Sequence, residues 1–193
     1  MRRVVVCANL SLDGVMQAPA RADEDPRDGF QHGGWATPYA AMAEAGQVFA
    51  NADALLFGRR TYEDFYSVWP KRTESPFTPW LNGVSKYVVS RTLTEPLPWT
   101  NSILLKGEAA TAVRALKADA GKDILVLGSG GLVRSLMGAP VIDEFTLLIH
   151  PLVLGSGTRL FGEASGLAKM SLVASRTTSN GVVIATYRPD TVV

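Results

Sequence analysis

Short apolar runs, separated by glycine-rich turns and amphipathic stretches, set the rhythm of this chain. Val4 to Ala8, Ala54 to Phe57, Tyr87 to Val89, Ile103 to Leu105, Ile124 to Leu127 and Phe145 to Ile149 lack the alternation of a half-exposed strand. They read as strands buried on both faces. Between them, Glu108 to Ala120 places Ala112, Val113, Leu116 and Ala120 on one helical face, with Gly121 as its stop. Tyr39 to Ala50 reads as a second helix and Arg60 to Val68 as a shorter third, while Pro70 to Pro79 reads as a loop. Near the C-terminus, Leu172-Val173-Ala174 and Val182 to Tyr187 flank Ser179-Asn180-Gly181, a hairpin signal. The pattern predicts one α/β domain over residues 1–193, with a central mixed, mostly parallel sheet, helices on both faces and a C-terminal antiparallel hairpin.

Composition narrows the setting. The net charge is +1 and no basic block carries interleaved aromatics, so nucleic acid is not the expected partner. The apolar runs are far shorter than the roughly 20 residues that span a bilayer, and the run after Met-Arg-Arg is too short for a signal-peptide core. A cytoplasmic location is expected. The single Cys7 lies inside the first apolar run and reads as a small buried hydrophobe.

Three predicted strand ends carry groups suited to phosphate. Ile124 to Leu127 runs directly into Gly128-Ser129-Gly130-Gly131, after which Leu132, Leu136 and Met137 recur at helical spacing. Such a turn leaves backbone N–H groups unpaired at a helix start, and glycines let an anion approach them. The bland alternative is a tight strand-to-helix corner. Gly58-Arg59-Arg60-Thr61 follows Leu55-Leu56-Phe57, and Ser90-Arg91-Thr92 follows Tyr87-Val88-Val89. Each adds an Arg with bidentate donors and a hydroxyl. No Gly-Lys-Ser/Thr follows the glycines, and Val133 stands where a dinucleotide fingerprint has its third glycine. Basic and hydroxyl groups in place of a ribose-binding acid point to the 2′-phosphate of NADP.

In this order and spacing the motifs resemble the dihydrofolate reductase-like superfamily, and within it the branch of the riboflavin biosynthesis reductase C-terminal domain. The resemblance is carried by Ser11-Leu12-Asp13-Gly14, Gly58-Arg59-Arg60-Thr61-Tyr62-Glu63, Ser90-Arg91-Thr92, Gly128-Ser129-Gly130-Gly131-Leu132, and Ile142-Asp143-Glu144 with Pro151-Leu152-Val153-Leu154-Gly155-Ser156-Gly157. It implies a three-layer fold and an NADPH-dependent reductase of pyrimidine- or pterin-like compounds that forms a homodimer. By position, Gly58, Arg59 and Thr61 would meet the pyrophosphate and adenosine side. Ser90 and Arg91 would hold the 2′-phosphate, Gly128, Ser129, Gly130, Gly131 and Leu132 would cradle the pyrophosphate, and Ala8 would lie near the nicotinamide. The aligned position of the folate-binding carboxylate carries Met42, and Glu44 lies about 200° around the predicted helix.

The acceptor side is read from other residues. Hydride transfer to C=N or C=O also needs a proton, and Asp13, in a partly dry pocket with a raised pKa, is the expected organiser; its alternative is a plain turn. The irregular stretch from Val15 to Trp35 is long enough to be functional. His32 and Trp35 at its end are expected to close over the substrate, with Trp35 stacking on a planar ring and Tyr39 beside it. The acids between Asp23 and Asp28 have no fixed ligand spacing, so no metal is expected. His150 reads as a structural strand-end residue. The resulting expectation is hydride transfer from NADPH to a small planar heterocycle or carbonyl compound held by Asp13, His32, Trp35 and Tyr39. The alternatives are a non-catalytic NADP(H)-binding module, or a divergent dihydrofolate reductase that takes its carboxylate from Glu44.

Overall fold

In the computed structural model, which describes residues 1–162 and 166–190, every predicted apolar run is a strand of one sheet. The strands are β1 (Val4–Ser11), β2 (Ala52–Gly58), β3 (Ser85–Val89), β4 (Ser102–Leu105), β5 (Asp123–Leu127), β6 (Glu144–His150), β7 (Met170–Thr177) and β8 (Val183–Pro189). They form an eight-stranded sheet in the order β4-β3-β2-β5-β1-β6-β8-β7. Strands β1 to β6 are mutually parallel, and β8 joins β6 antiparallel as the inner arm of the predicted hairpin.

The unbroken apolar character of β1 has a direct cause. Val4, Val6 and Ala8 enter one core with Val113 and Leu116 of α4 (Ala109–Ala118) and Val133 and Leu136 of α5 (Gly130–Leu136). Val5 and Cys7 enter a second core on the opposite face, with Phe49 of α1 (Gly46–Ala50), Tyr62 of α2 (Arg59–Val68) and Leu81 of α3 (Phe77–Gly83). A strand covered on both faces has no solvent side on which to place polar residues. The three layers expected from the sequence are therefore present.

Two helical expectations are corrected. Tyr39 to Ala50 is not one helix. Pro38 sits in a 3-10 turn, Thr37–Tyr39, that ends at Ala40 in the left-handed region (φ 49°); a second 3-10 turn, Ala41–Ala45, then leads into α1. The apolar spacing survives, since Ala41, Ala45 and Phe49 are all buried. Conversely, the Pro70 to Pro79 stretch contains the start of α3. Pro79 falls in its first turn, where the missing N–H has no intrahelical acceptor to lose. Helix α4 begins one residue late because the Glu108 carboxylate caps it, accepting from the N–H groups of Ala110 (2.8 Å) and Thr111 (2.7 Å).

One register feature positions the site. Pairing of β1 with β5 stops at Cys7↔Leu127, whereas pairing with β6 continues to Ser11↔His150. Beyond Cys7, β1 therefore runs on with no strand on its β5 side, leaving a notch between Ala8–Ser11 and the turn that follows β5.

The far end of the sheet is held by Lys86, which is fully buried on β3. Its Nζ donates to the carbonyls of Val84 (2.8 Å), Thr100 (3.0 Å) and Asn82 (3.3 Å), and lies 4.7 Å from the Trp99 ring centre. Burial pushes its pKa down to about 8. Replacing Lys86 with Met would leave those carbonyls without a donor and should cost about 1–3 kcal/mol in urea unfolding at pH 7.5. The unfolded chain holds this proton up to about pH 10.5 and the folded chain only to about 8. The unfolded state thus binds more protons in that window, and the native protein should gain stability over Lys86→Met as pH rises through it. A pH-independent difference would contradict the assignment.

Candidate functional site

Strands β2 and β5 are neighbours, and the turns that leave them clasp each other. The Gly58 N–H donates to the Ser129 Oγ and the Ser129 N–H donates to the Thr61 Oγ1, each at 3.0 Å. Each hydroxyl accepts one bond and keeps its own proton to donate. Gly128 (φ 57°) and Ser129 (φ 53°) are both left-handed. A side chain on Gly128 would also press against the Thr61 methyl at 3.2 Å. Gly130 is needed for a different reason: a Cβ there would collide with the sulfur of Met16. Gly131 alone of the three faces open space. Packing thus accounts for Gly128 and Gly130 but gives no reason for Gly131.

The amides of Gly130, Gly131 and Leu132 precede the first intrahelical bond of α5, which runs from the Val133 N–H to the Ser129 carbonyl at 3.0 Å. The Leu132 side chain itself is core. Along the same sheet edge, Arg59 is exposed and paired with Glu63 at 3.1 Å, one helical turn on. Ser90 is buried, and its Oγ accepts from the N–H groups of Thr92 (3.1 Å) and Leu93 (3.0 Å), so it shapes its own turn. Arg91 beside it is exposed and has no ion pair among the described residues. A residue the sequence reading passed over belongs with it. The Ser90 N–H reaches the Leu105 carbonyl at 3.4 Å, which places the exposed Lys106 at the end of β4 next to Ser90. A lysine directly after the apolar run Ile103 to Leu105 is the signal that marks it.

Among the residues expected to hold the substrate, the structure corrects the role of Asp13. Its carboxylate accepts from the Ser11 hydroxyl (2.7 Å) and from the Leu154 (3.1 Å) and Gly155 (3.0 Å) N–H groups, with Arg159 at 3.5 Å. The Ser11 bond and then the two amides hold its pKa down to about 2. Asp13 is an ionised clamp joining the β1 turn to the loop after β6, the reverse of a raised-pKa proton organiser. The Val15 to Trp35 stretch is likewise folded in place. Val15, Ala18, Phe30, Trp35 and Ala36 form a small core of their own, and the Trp35 Nε1 donates to the Gln17 carbonyl at 2.7 Å. Its acids are engaged locally: Asp25 pairs with Arg27, and Glu24 accepts from the Ala20 and Arg21 amides. Trp35 is thus a buried wall with its ring fixed, and His32 is exposed against the edge of Phe30. The Glu44 route to a folate-binding carboxylate is overturned as well, because Glu44 is exposed and bonded to Arg176 of β7 at 2.7 Å.

What the structure does gather near the notch is a cluster around His150, the last residue of β6. The ring is fully buried, with Trp35 and Tyr39 edge-on to it at centroid distances of 5.2 and 5.1 Å. Its Nε2 lies 2.9 Å from the Asn9 Oδ1, and its Nδ1 has no partner. Burial pushes its pKa down to about 4, so the ring is neutral at pH 7. Asn9 is the second residue passed over. It is the one amide in β1, on the face shared with Val5 and Cys7, and that polarity was its signal.

A cavity of about 310 Å³ lies elsewhere. It is an apolar groove on the opposite face, lined by Leu10, Leu12, Phe145, Leu147, Phe161 and Tyr187 among others.

The Asp13 clamp can be tested by stability alone. Asp13→Ala should lose about 2–3 kcal/mol at pH 7, the scale for removing a charge-assisted set of hydrogen bonds. The folded pKa lies below the unfolded value of 3.8, so this contribution exists above pH 4. It should vanish as pH falls toward about 2. Equal urea midpoints for the two proteins at pH 7 would refute the clamp.

Comparison with known proteins gives this geometry a family. The model of the RibD C-terminal domain matches residues 2–184. The uncharacterized protein YyaP of Bacillus subtilis is 33% identical over 139 residues, which is 70% of this chain and 73% of that protein. Among solved structures, a putative riboflavin biosynthesis protein from Shewanella sp. PV-4 superposes with a TM-score of 0.70 at 21% identity, covering 97% of this chain and 99% of that one. A Thermotoga maritima diaminohydroxyphosphoribosylaminopyrimidine deaminase/5-amino-6-(5-phosphoribosylamino)uracil reductase superposes with a TM-score of 0.63 at 16% identity; the match spans 98% of this chain but 57% of that longer protein. The fold is thus the dihydrofolate reductase-like one that the motif order implied, and the chain belongs to the RibD C-terminal domain family.

Proposed function

We propose that this protein is an NADPH-dependent reductase of a small planar heterocycle or carbonyl compound. The observation that carries the reading is the row of unused donors along one sheet edge. The Gly130, Gly131 and Leu132 amides stand after β5, the Ser129 and Thr61 hydroxyl protons lie between β5 and β2, and Arg91 with Lys106 stands after β3 and β4. These donor types suit a pyrophosphate at the turn and a further phosphate at the cations. When bound, NADPH supplies the hydride. The chain's own residues do the rest. The Gly128–Gly131 turn and Arg91 hold the anionic groups, and the notch at Ala8–Ser11 receives the reacting ring beside the buried Trp35 and the half-buried Tyr39. Asp13 is ionised and His150 neutral at pH 7, so neither stores the proton; it arrives from solvent.

Relatives' names agree with this class: the Thermotoga protein is named in part as a uracil reductase. We also retain the homodimer that the family resemblance implies. The apolar groove on the uncovered sheet face, next to the exposed Leu12 and Phe161, supports it. Sedimentation of the 20.7 kDa chain as a monomer at micromolar concentration would remove this part of the proposal. No helix among the described residues is long and apolar enough to cross a membrane.

The cofactor reading is tested by fluorescence titration. Native protein should bind NADPH at least about tenfold more tightly than NADH, or about 1.4 kcal/mol. Arg91→Ala should remove most of that difference while leaving NADH affinity unchanged. Equal affinities in the native protein would overturn the 2′-phosphate site. NADPH binding with no oxidation across a panel of pteridines, pyrimidines and quinones would instead favour a non-catalytic sensor.

A further inference from the structure

The pair Asn9–His150 has a fixed polarity. If the His150 proton sat on Nδ1, a buried N–H would have no acceptor, because that nitrogen has no partner. Orphaned buried donors are rarer in proteins than unfilled lone pairs. The proton therefore sits on Nε2 and is donated to the Asn9 Oδ1 at 2.9 Å. That bond sets which way the carboxamide faces. The Asn9 Nδ2 makes no hydrogen bond to any described residue, and it is not among the buried unpaired atoms, so it is open to solvent. Asn9 also lies two residues past the last β1–β5 pair, at the notch. The notch is thus offered a pair of N–H donors on a neutral group. No carboxylate competes with them nearby, since Asp13 is bound by Ser11, Leu154 and Gly155 and Glu44 by Arg176.

We propose that Asn9 is the specificity-determining residue of the acceptor site, with His150 as its positioning residue, and that the site selects rings presenting a carbonyl oxygen over rings presenting an exocyclic amino group in its place. This rests on the notch being the acceptor site of the reductase proposed above. A carboxamide held through its oxygen can give hydrogen bonds to a carbonyl oxygen, whereas an amino group at the same ring position is itself a donor and would meet the Asn9 N–H groups donor against donor.

Two probes of the same ring size separate the cases: pteridine-2,4-dione and 2,4-diaminopteridine. Titrated into the full-length protein, with and without NADPH, the dione should bind at least tenfold more tightly. Asn9→Asp turns the donor into an acceptor and should reverse the order. His150→Phe keeps an aromatic ring but cannot hold the amide, so the preference should fall to within about threefold. His150→Gln, which can still donate, should restore it. NADPH affinity, read in the same titrations, should be unchanged in all three variants; its absence in the native protein would count against the cofactor reading, while the probe ratio judges Asn9 separately. Independently of any variant, nitrogen NMR of the native protein at pH 7 should show His150 protonated at Nε2; with His32 the only other histidine, its signals are simple to assign. A native protein that binds both probes equally, prefers the diamine or binds neither overturns the proposal. So does an Asn9→Asp variant with an unchanged ratio, or a proton found on Nδ1.

Discussion

The register of β1 between two neighbours of unequal reach is the constraint on which the rest of the site depends. Alignment with β5 ends at Cys7, and alignment with β6 persists to Ser11. A parallel sheet buried on both faces offers few places where a ligand can meet backbone, and the carboxyl ends of its strands are the usual ones. Here the mismatch opens a gap in the middle of the sheet instead of at its rim. One wall of the gap is the outrunning end of β1, and the other is the turn by which β5 leaves the sheet. Lengthening β5 alongside Ala8–Ser11 would close it.

Around that gap, polar groups divide into those already engaged and those left over. Asp13 fastens the β1 turn to Leu154 and Gly155, the Ser129 and Thr61 hydroxyls fasten two strand ends together, and Ser90 shapes its own turn. These bonds build the edge. What remains is almost entirely donor in character: three amides, the Asn9 nitrogen, Arg91 and Lys106. An edge with surplus donors and few free acceptors selects anionic and lone-pair-bearing ligands, whatever their identity.

Much of the fold was legible because its signals are local. Each apolar run became a strand, and Asn180-Gly181 marked the hairpin correctly. The errors have local causes too: Pro38 and a left-handed Ala40 interrupt the helix expected from Tyr39, and Pro79 disguises the first turn of α3. The donor-lined sheet edge was visible for the same reason, since Gly128, Arg59 and Arg91 each announce themselves beside a strand. Ser11, whose hydroxyl does most to lower the Asp13 pKa, stands two residues away, but the Leu154 and Gly155 amides that complete the clamp lie far along the chain. No neighbouring letter records them.

Asn9 and His150 show the same limit from the other side. They are separated by 141 residues, and neither looks functional alone: one is an amide in a strand, the other a buried strand-end histidine. Only the parallel pairing of β1 with β6 brings them together, and only the lack of a partner at Nδ1 gives the pair a direction. A neutral imidazole, kept neutral by burial, orients a neutral amide without adding charge to the notch. In that setting Trp35 and Tyr39 have a defined role as the apolar surround that keeps the ring dry, in place of the mobile cover that the sequence suggested. In the proposed reading, the chemistry of the acceptor side is set by hydrogen-bond direction at a neutral pair, whereas that of the cofactor side is set by charge.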